Sequence, residues 1–430
     1  GINVPFIIEG LCYFGGLTIL GKFCSENVGL SDVVSGYIYS GVTGGITLAM
    51  LLFGGIADRI GVRWSLIISL SAMAVGRVMI ALSDTLGLAN GLWSPMFMTM
   101  AGGLLIMVLF YGLYQPAAYA GVRRYTTPKT AAMGYAVIYA LMNLGGFMFG
   151  GLSPLVRNTV GDRFPPNGLG AVWWALAILT VAGAVITMVV ITRRTDESAV
   201  ADVQRKLAAE REAAGEAEPG APAARGPQAP LALFITLVVA ALTALIGFVL
   251  ASTGDLGGGE AGPDDTLRYG LLALTIVLGA FAIWEFLRHR PAHPFRNLRF
   301  VFFISILIPV QTLFAHQWLT LPYYCDRAFP GSPVSTYFEF FTNLNPILIF
   351  VLAPIVAGLT ARANIYRMMI IGTLVMAAPT FLLTLGPMMP VLLAYILLMS
   401  IAEAMWQPRF LQWIAEIAPE GQTGSYMGIG

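Results

Sequence analysis

Twelve apolar stretches of roughly twenty residues recur along this chain, and that recurrence limits its fold more than any other feature. They lie near 4–21, 33–56, 65–83, 95–119, 131–153, 169–191, 231–252, 268–287, 300–320, 336–359, 366–384 and 390–412. A segment of that length and polarity crosses a bilayer. It must cross as a helix, because no water is present there to satisfy an open backbone. Glycine and proline inside the stretches, as at Gly54, Gly55, Pro116, Pro346 and Pro408, suit a bundle whose helices approach closely. Charged residues are 11% of the chain and hydrophobic residues 57%. A soluble chain needs about 25% charge to cover its surface. The net charge of +1 gives no nucleic-acid signal. The expectation is an all-α polytopic membrane protein. No cleavable signal peptide is expected, and both ends read as abruptly cut, so a longer natural chain is expected too.

The distribution of cations orients the chain. Seventeen of the 24 Lys and Arg residues fall on the connections after stretches two, four, six, eight and ten. Five fall on the other side, and Arg77 and Arg409 lie within stretches. The first side is therefore expected to be cytoplasmic, with the N-terminus starting there and the chain in a bacterial inner membrane. Arg77 is expected to snorkel to the outer interface. Cys24 and Cys325 both fall on the outer side, where a bridge is chemically permitted, but free thiols are the expectation.

Residues 193–230 are the one soluble-looking stretch, helix-forming at first and then rich in Ala, Pro and Gly. An internal repeat flanks it. GGIADR (54–59) corresponds to AGLTAR (357–362), and YQPAAYAGVRRYTTP (114–128) to WQPRFLQWIAEIAP (406–419). Repeated bundles are a transporter hallmark, with the solute site at their interface near mid-membrane. The expected organisation is a six-helix bundle over 1–192 and a cytoplasmic linker over 193–230. A two-helix insertion over 231–290 and a second bundle over 291–430 follow. Residues 423–430 match the start of the fifth stretch, so the last two helices of the second bundle are expected to be missing.

GGIADRIGVR (54–63) resembles the cytoplasmic signature of the major facilitator superfamily, which marks Asp58, Arg59 and Arg63 as a cytoplasmic gate. Five further segments, in family order, resemble the proton-dependent oligopeptide transporters. These are IEGLCYFG (8–15), IYALMNLGGF (138–147), HQWLTLPYYCDR (316–327), LNPILIFVLAP (344–354) and AEAMWQP (402–408). The resemblance implies a major facilitator fold of two pseudo-symmetric six-helix bundles plus two inserted helices. It also implies that Asn143, Asn345 and Glu403 hold a peptide's amino end, with Tyr13, Gln115 and Gln317 beside them. An ammonium needs one carboxylate and several neutral oxygen acceptors, so the chemistry is consistent.

The departures are as informative. Phe6 and Gly10 stand where the family has a glutamate and an arginine, Phe14 where it has a second tyrosine, Gln115 where it has a lysine, and His316 where it has an acid. Glu9, His316 and Glu403 remain as candidate proton carriers. The preferred reading is a monomeric secondary transporter importing peptide-like or amine-bearing solutes with protons, and with no cofactor. A facilitator or exporter of another polar solute, and a non-transporting sensor, are the alternatives. No HExxH, GxSxG or zinc-ligand cluster appears, and His289, His293 and His316 are scattered, so neither an enzyme nor a metal site is expected.

Overall fold

Helix is the only regular structure among the described residues, as the backbone argument demands. The computed structural model of the chain describes residues 3–126, 128–214, 232–256, 265–288, 293–360, 363–417, 426 and 429. The first six stretches form α1 (Asn3–Lys22), α2 (Asp32–Ile60), α3 (Val62–Thr85), α4 (Pro95–Arg124), α5 (Pro128–Val160) and α6 (Leu169–Val190). Local chemistry sets their ends. Ser94 caps α4 by accepting from the Phe97 N–H at 3.1 Å, and Pro95 occupies the first helical position, where no N–H is needed. Gly61, at φ +83°, supplies the sharp reversal between α2 and α3 that a side chain would oppose.

Small residues let these helices touch. A Cβ placed on Gly10 of α1 would lie 2.5 Å from the Met142 carbonyl oxygen of α5, and one on Gly145 only 2.3 Å from the Ile7 carbonyl oxygen. Gly76 of α3 and Gly103 of α4 meet in the same way, each within 2.6 Å of the other's carbonyl. Position 10 is thus closed by α5. The arginine of the resembling family has no room there.

The first part of the expected linker is helical, α7 (Arg193–Ala214). Asp196 fastens it to the end of α4, accepting from Arg124 Nη2 at 3.0 Å and from the Tyr125 hydroxyl at 2.5 Å. Burial, then the hydrogen bond to Asp196, pushes the Tyr125 phenol above its usual range. Helices α8 (Ala232–Leu256) and α9 (Asp265–Arg288) pack on each other. With α10 (Leu298–Ile306) they belong to a compact unit of residues 217–308 and 419–429, in which Asn297 donates to the Tyr426 hydroxyl at 3.2 Å. The other unit comprises residues 1–216 and 309–418. The counterpart expected at 423–430 lies outside the described residues except for Tyr426 and Ile429.

Two later stretches are not single helices. The ninth breaks into α10, α11 (Ile308–Leu319) and α12 (Leu321–Arg327). The tenth breaks into α13 (Pro333–Thr336), α14 (Phe338–Thr342) and α15 (Leu344–Leu359). Pro346 explains the second break. It has no N–H to offer the carbonyl four residues back, that of Thr342. The Gln317 side chain of α11 donates to that carbonyl instead, at 2.7 Å. Then follow α16 (Ile365–Ala377), tightened beyond its end into a 3-10 turn at Pro379, and α17 (Met389–Ile417). Ten helical segments among the described residues are long and apolar enough to cross a bilayer, and Thr236–Phe248 and Phe338–Ala353 are shorter.

Gly10→Ala is expected to cost about 1–3 kcal/mol by overpacking α1 against α5. Thermal unfolding of the detergent-purified protein should show this as a lower Tm. Gly36→Ala, whose added methyl meets nothing within 4 Å, should leave Tm unchanged or slightly higher.

Candidate functional site

Glu403 sits fourteen residues from either end of α17 and is buried to 2% exposure. Its Oε1 accepts from the Tyr139 hydroxyl of α5 at 3.2 Å, and its Oε2 from Asn345 Nδ2 of α15 at 2.9 Å. The same Asn345 amide reaches Ser400 Oγ at 3.0 Å. Asn143, one turn beyond Tyr139, donates to the Tyr139 carbonyl at 2.9 Å. The structure therefore joins Asn345 directly to Glu403, and Asn143 lies one turn from Tyr139, which reaches Glu403 from the other half of the unit. It adds Tyr139 and Ser400, which the sequence reading missed. Their signal was spacing: Tyr139 lies four residues before Asn143 and Ser400 three before Glu403, each on the same helix face. The break before α15 places Asn345 at the start of that helix, where its side chain reaches α17. No cation touches Glu403 among the described residues.

The N-terminal half holds a different arrangement. Arg77 does not snorkel to the interface. It is wholly buried and forms a two-pronged pair with Glu9, Nη2 to Oε1 at 2.6 Å and Nη1 to Oε2 at 2.9 Å. Its Nη1 also donates to Thr180 Oγ1 at 2.5 Å. The expectation failed because a buried acid 68 residues away along the chain, with Thr180, takes up both terminal nitrogens of the guanidinium. The pair commits both carboxylate oxygens of Glu9 to the guanidinium. Nearby, Tyr13 stacks on Tyr111 with centroids 4.6 Å apart, and Gln115 donates to the Tyr111 hydroxyl at 2.8 Å. This wall is aromatic and uncharged.

The remaining candidates lie apart from Glu403. The Gln317 amide nitrogen is occupied by the Thr342 carbonyl, so this residue seals the helix break. His316 is exposed, its Nδ1 2.6 Å from Thr320 Oγ1 one turn on. Arg63 donates through Nε to the Ile191 carbonyl at 2.6 Å, joining the start of α3 to the end of α6. The side chains of Asp58 and Arg59 lie outside the described residues. A crevice of about 470 Å³ between α5 and α13–α14, lined by Pro154, Tyr337 and Phe340, is largely apolar and also separate.

Three ion pairs among the described residues fasten the halves to each other, all at the end where α1 and α5 finish. Lys22 Nζ lies 2.6 Å from Asp326, Arg157 Nη1 2.6 Å from Glu339, and Arg327 Nη1 2.6 Å from Asp32. Ser153 also donates to Glu339 at 2.9 Å, and Asn343 Nδ2 to Thr18 Oγ1 at 3.2 Å. Glu339 is fully buried, whereas Asp32 and Arg327 are about half exposed. Burial decides their weight: an exposed pair contributes about 0–1 kcal/mol, while removing one partner of a buried pair costs several times more. Cys24 and Cys325 are both buried and unbridged.

A family model described as Major Facilitator Superfamily matches residues 6–430. The chain belongs to the major facilitator superfamily. It is thus a multi-pass membrane protein of a transporter family. Solved structures agree on the fold. The tetrameric PepTSo2 structure is 18% identical, with TM-score 0.62, over 100% of this chain and 86% of that one. The POT family transporter PepTSo is 16% identical, with TM-score 0.61, over 100% and 85%. A peptide transporter POT solved with sulfate is 17% identical, with TM-score 0.60, over 100% and 84%. Among curated proteins none matches.

Glu9→Gln and Arg77→Gln are each expected to destabilise the protein by about 3–5 kcal/mol, since either strands its partner. The double variant should lose much less than the two together, which thermal unfolding of all four proteins measures. At the fastened end, Arg157→Gln should lower Tm well beyond the small change from Arg327→Gln.

Proposed function

We propose that this chain is a secondary active transporter. It moves small peptide-like or amine-bearing solutes across a bacterial inner membrane by alternating access and draws on the proton gradient. The observation that supports this reading is Glu403, a carboxylate in the middle of a spanning helix that meets only neutral donors. A solute ammonium has the complementary chemistry, one positive charge and three N–H groups. Around it stand the Asn345 amide and the hydroxyls of Tyr139 and Ser400, with Asn143 one turn beyond Tyr139 on α5. The similar solved structures include a peptide transporter and a POT family transporter, which agrees with an amine at this position. The chain's N-terminus would lie in the cytoplasm, which makes the fastened end periplasmic. Opening toward the periplasm then requires parting Lys22 from Asp326, Arg157 from Glu339 and Asp32 from Arg327. Both sides of the site come from one chain, so a monomer suffices.

In proteoliposomes with an imposed proton gradient, a panel of amines and small peptides should include solutes that accumulate, and an uncoupler should abolish accumulation. Glu403→Gln should weaken binding more than tenfold, as loss of a buried charge pair of about 2–5 kcal/mol implies. Flux without accumulation, or binding without flux, would replace this reading with a facilitator or a sensor.

A further inference from the structure

Four glutamates are buried among the described residues: Glu9, Glu285, Glu339 and Glu403. Three have a guanidinium at hand, Arg77 at 2.6 Å, Arg288 at 2.7 Å and Arg157 at 2.6 Å. Glu403 alone has none. We propose that a proton and an organic monocation occupy Glu403 in turn, so that this transporter exchanges one for the other, and that its cation carries no carboxylate. The proposal rests on the reading of Glu403 as the amine anchor and specifies its coupling and its substrate class.

A lone charge in a low-dielectric interior is expensive, so the site must change sides of the membrane in a neutral form. Two neutral forms are available: a proton on the carboxylate, or a cation against it. Both use the same two oxygens and exclude each other. The partners tolerate either form. The Tyr139 hydroxyl can donate or accept, and Asn345 offers both an amide N–H and an oxygen. A guanidinium, which only donates, would hold the carboxylate ionised. In the exchange step the protonated carboxyl releases its proton to water as the ammonium enters. One N⁺–H···O⁻ contact forms, and charge balances at one proton per cation.

Among the described residues, the groups near Glu403 come from four helices. Tyr139 and Asn143 come from α5. Asn345 comes from α15, and Ser400 from α17 itself. Arg409 lies six residues further along α17, where its guanidinium binds the Thr360 carbonyl and hydroxyl. On α16, Tyr366 is bonded to Trp413, near the far end of α17. None of these is a cation at the carboxylate, and none is a second acid.

Co-transport would need a second buried acid to hold the proton while the solute occupies Glu403. Glu9 and Glu339 are each committed to a guanidinium, and His316 is exposed and bonded to Thr320. A zwitterionic solute would likewise need a cation for its own carboxylate. In the N-terminal half the buried Arg77 is occupied by Glu9, position 10 is closed by α5, and position 115 is a neutral Gln. What the half offers is the Tyr13–Tyr111 stack. That surface suits an apolar or aromatic far end.

The test uses the full chain in nanodiscs with two probes, alanyl-phenylalanine amide and the parent dipeptide alanyl-phenylalanine. Calorimetry in buffers of different ionisation enthalpy counts the protons moved on binding. The amide should bind with release of up to one proton and at least tenfold more tightly than the dipeptide. Its affinity should fall about tenfold per pH unit where Glu403 is protonated. In proteoliposomes an acid interior should drive amide uptake and an acid exterior should not. Glu403→Gln should lose both binding and proton release while keeping its Tm; the wild-type proton count stands even if that variant is unstable. Proton uptake on binding, with an acid exterior driving entry, would overturn exchange while leaving Glu403 as an amine anchor. Tighter binding of the dipeptide would overturn the carboxylate-free class. Absence of Glu403-dependent binding by any amine would overturn the anchor itself, and this inference with it.

Discussion

A charge within a bilayer must be matched, and that requirement organises this molecule. Arg77 on α3 and Glu9 on α1 satisfy each other and, through Thr180, tie α6 to both. Arg157 and Glu339 do the same between α5 and α14. Each pair spends its charge on holding helices together. Glu403 is the exception. Its neighbours are neutral, so its charge is still available for something that comes and goes. Position among partners, rather than residue type, separates the guanidinium-paired acids from Glu403 here.

Backbone constraints then place that acid's companions. Pro346 deprives the Thr342 carbonyl of its usual donor, Gln317 supplies one, and the chain turns so that α15 starts beside α17. A helix continuous through 336–359 would have had no such turn before Asn345. On the other side of the site, the Gly10–Gly145 approach draws α1 onto α5. The same contact excludes an arginine at position 10, and the guanidinium of this half comes from α3 instead.

Among the described residues, the ion pairs that join the two halves, Lys22–Asp326, Arg157–Glu339 and Asp32–Arg327, all lie at one end, with Phe338 under the Lys22 ammonium at 4.3 Å. Burial makes Arg157–Glu339 the costliest of the three to lose one partner from. A closure built from a few ion pairs is reversible at modest cost, which alternating access requires, whereas the glycine-packed contacts within each half are not.

Read alone, the sequence determined the membrane class and the helical fold, because length and hydropathy act locally and add along the chain. It also marked Asn143, Asn345 and Glu403, through motifs a few residues long. Tertiary structure alone decided which charges meet. Arg77 finds Glu9 68 residues away, Arg157 finds Glu339 182 away, and Tyr139 finds Glu403 264 away. No local pattern encodes such pairings. The same gap explains why Arg77 read as a snorkelling residue. A side chain's role in this medium is set by its partner, and the partner is chosen only when distant helices pack.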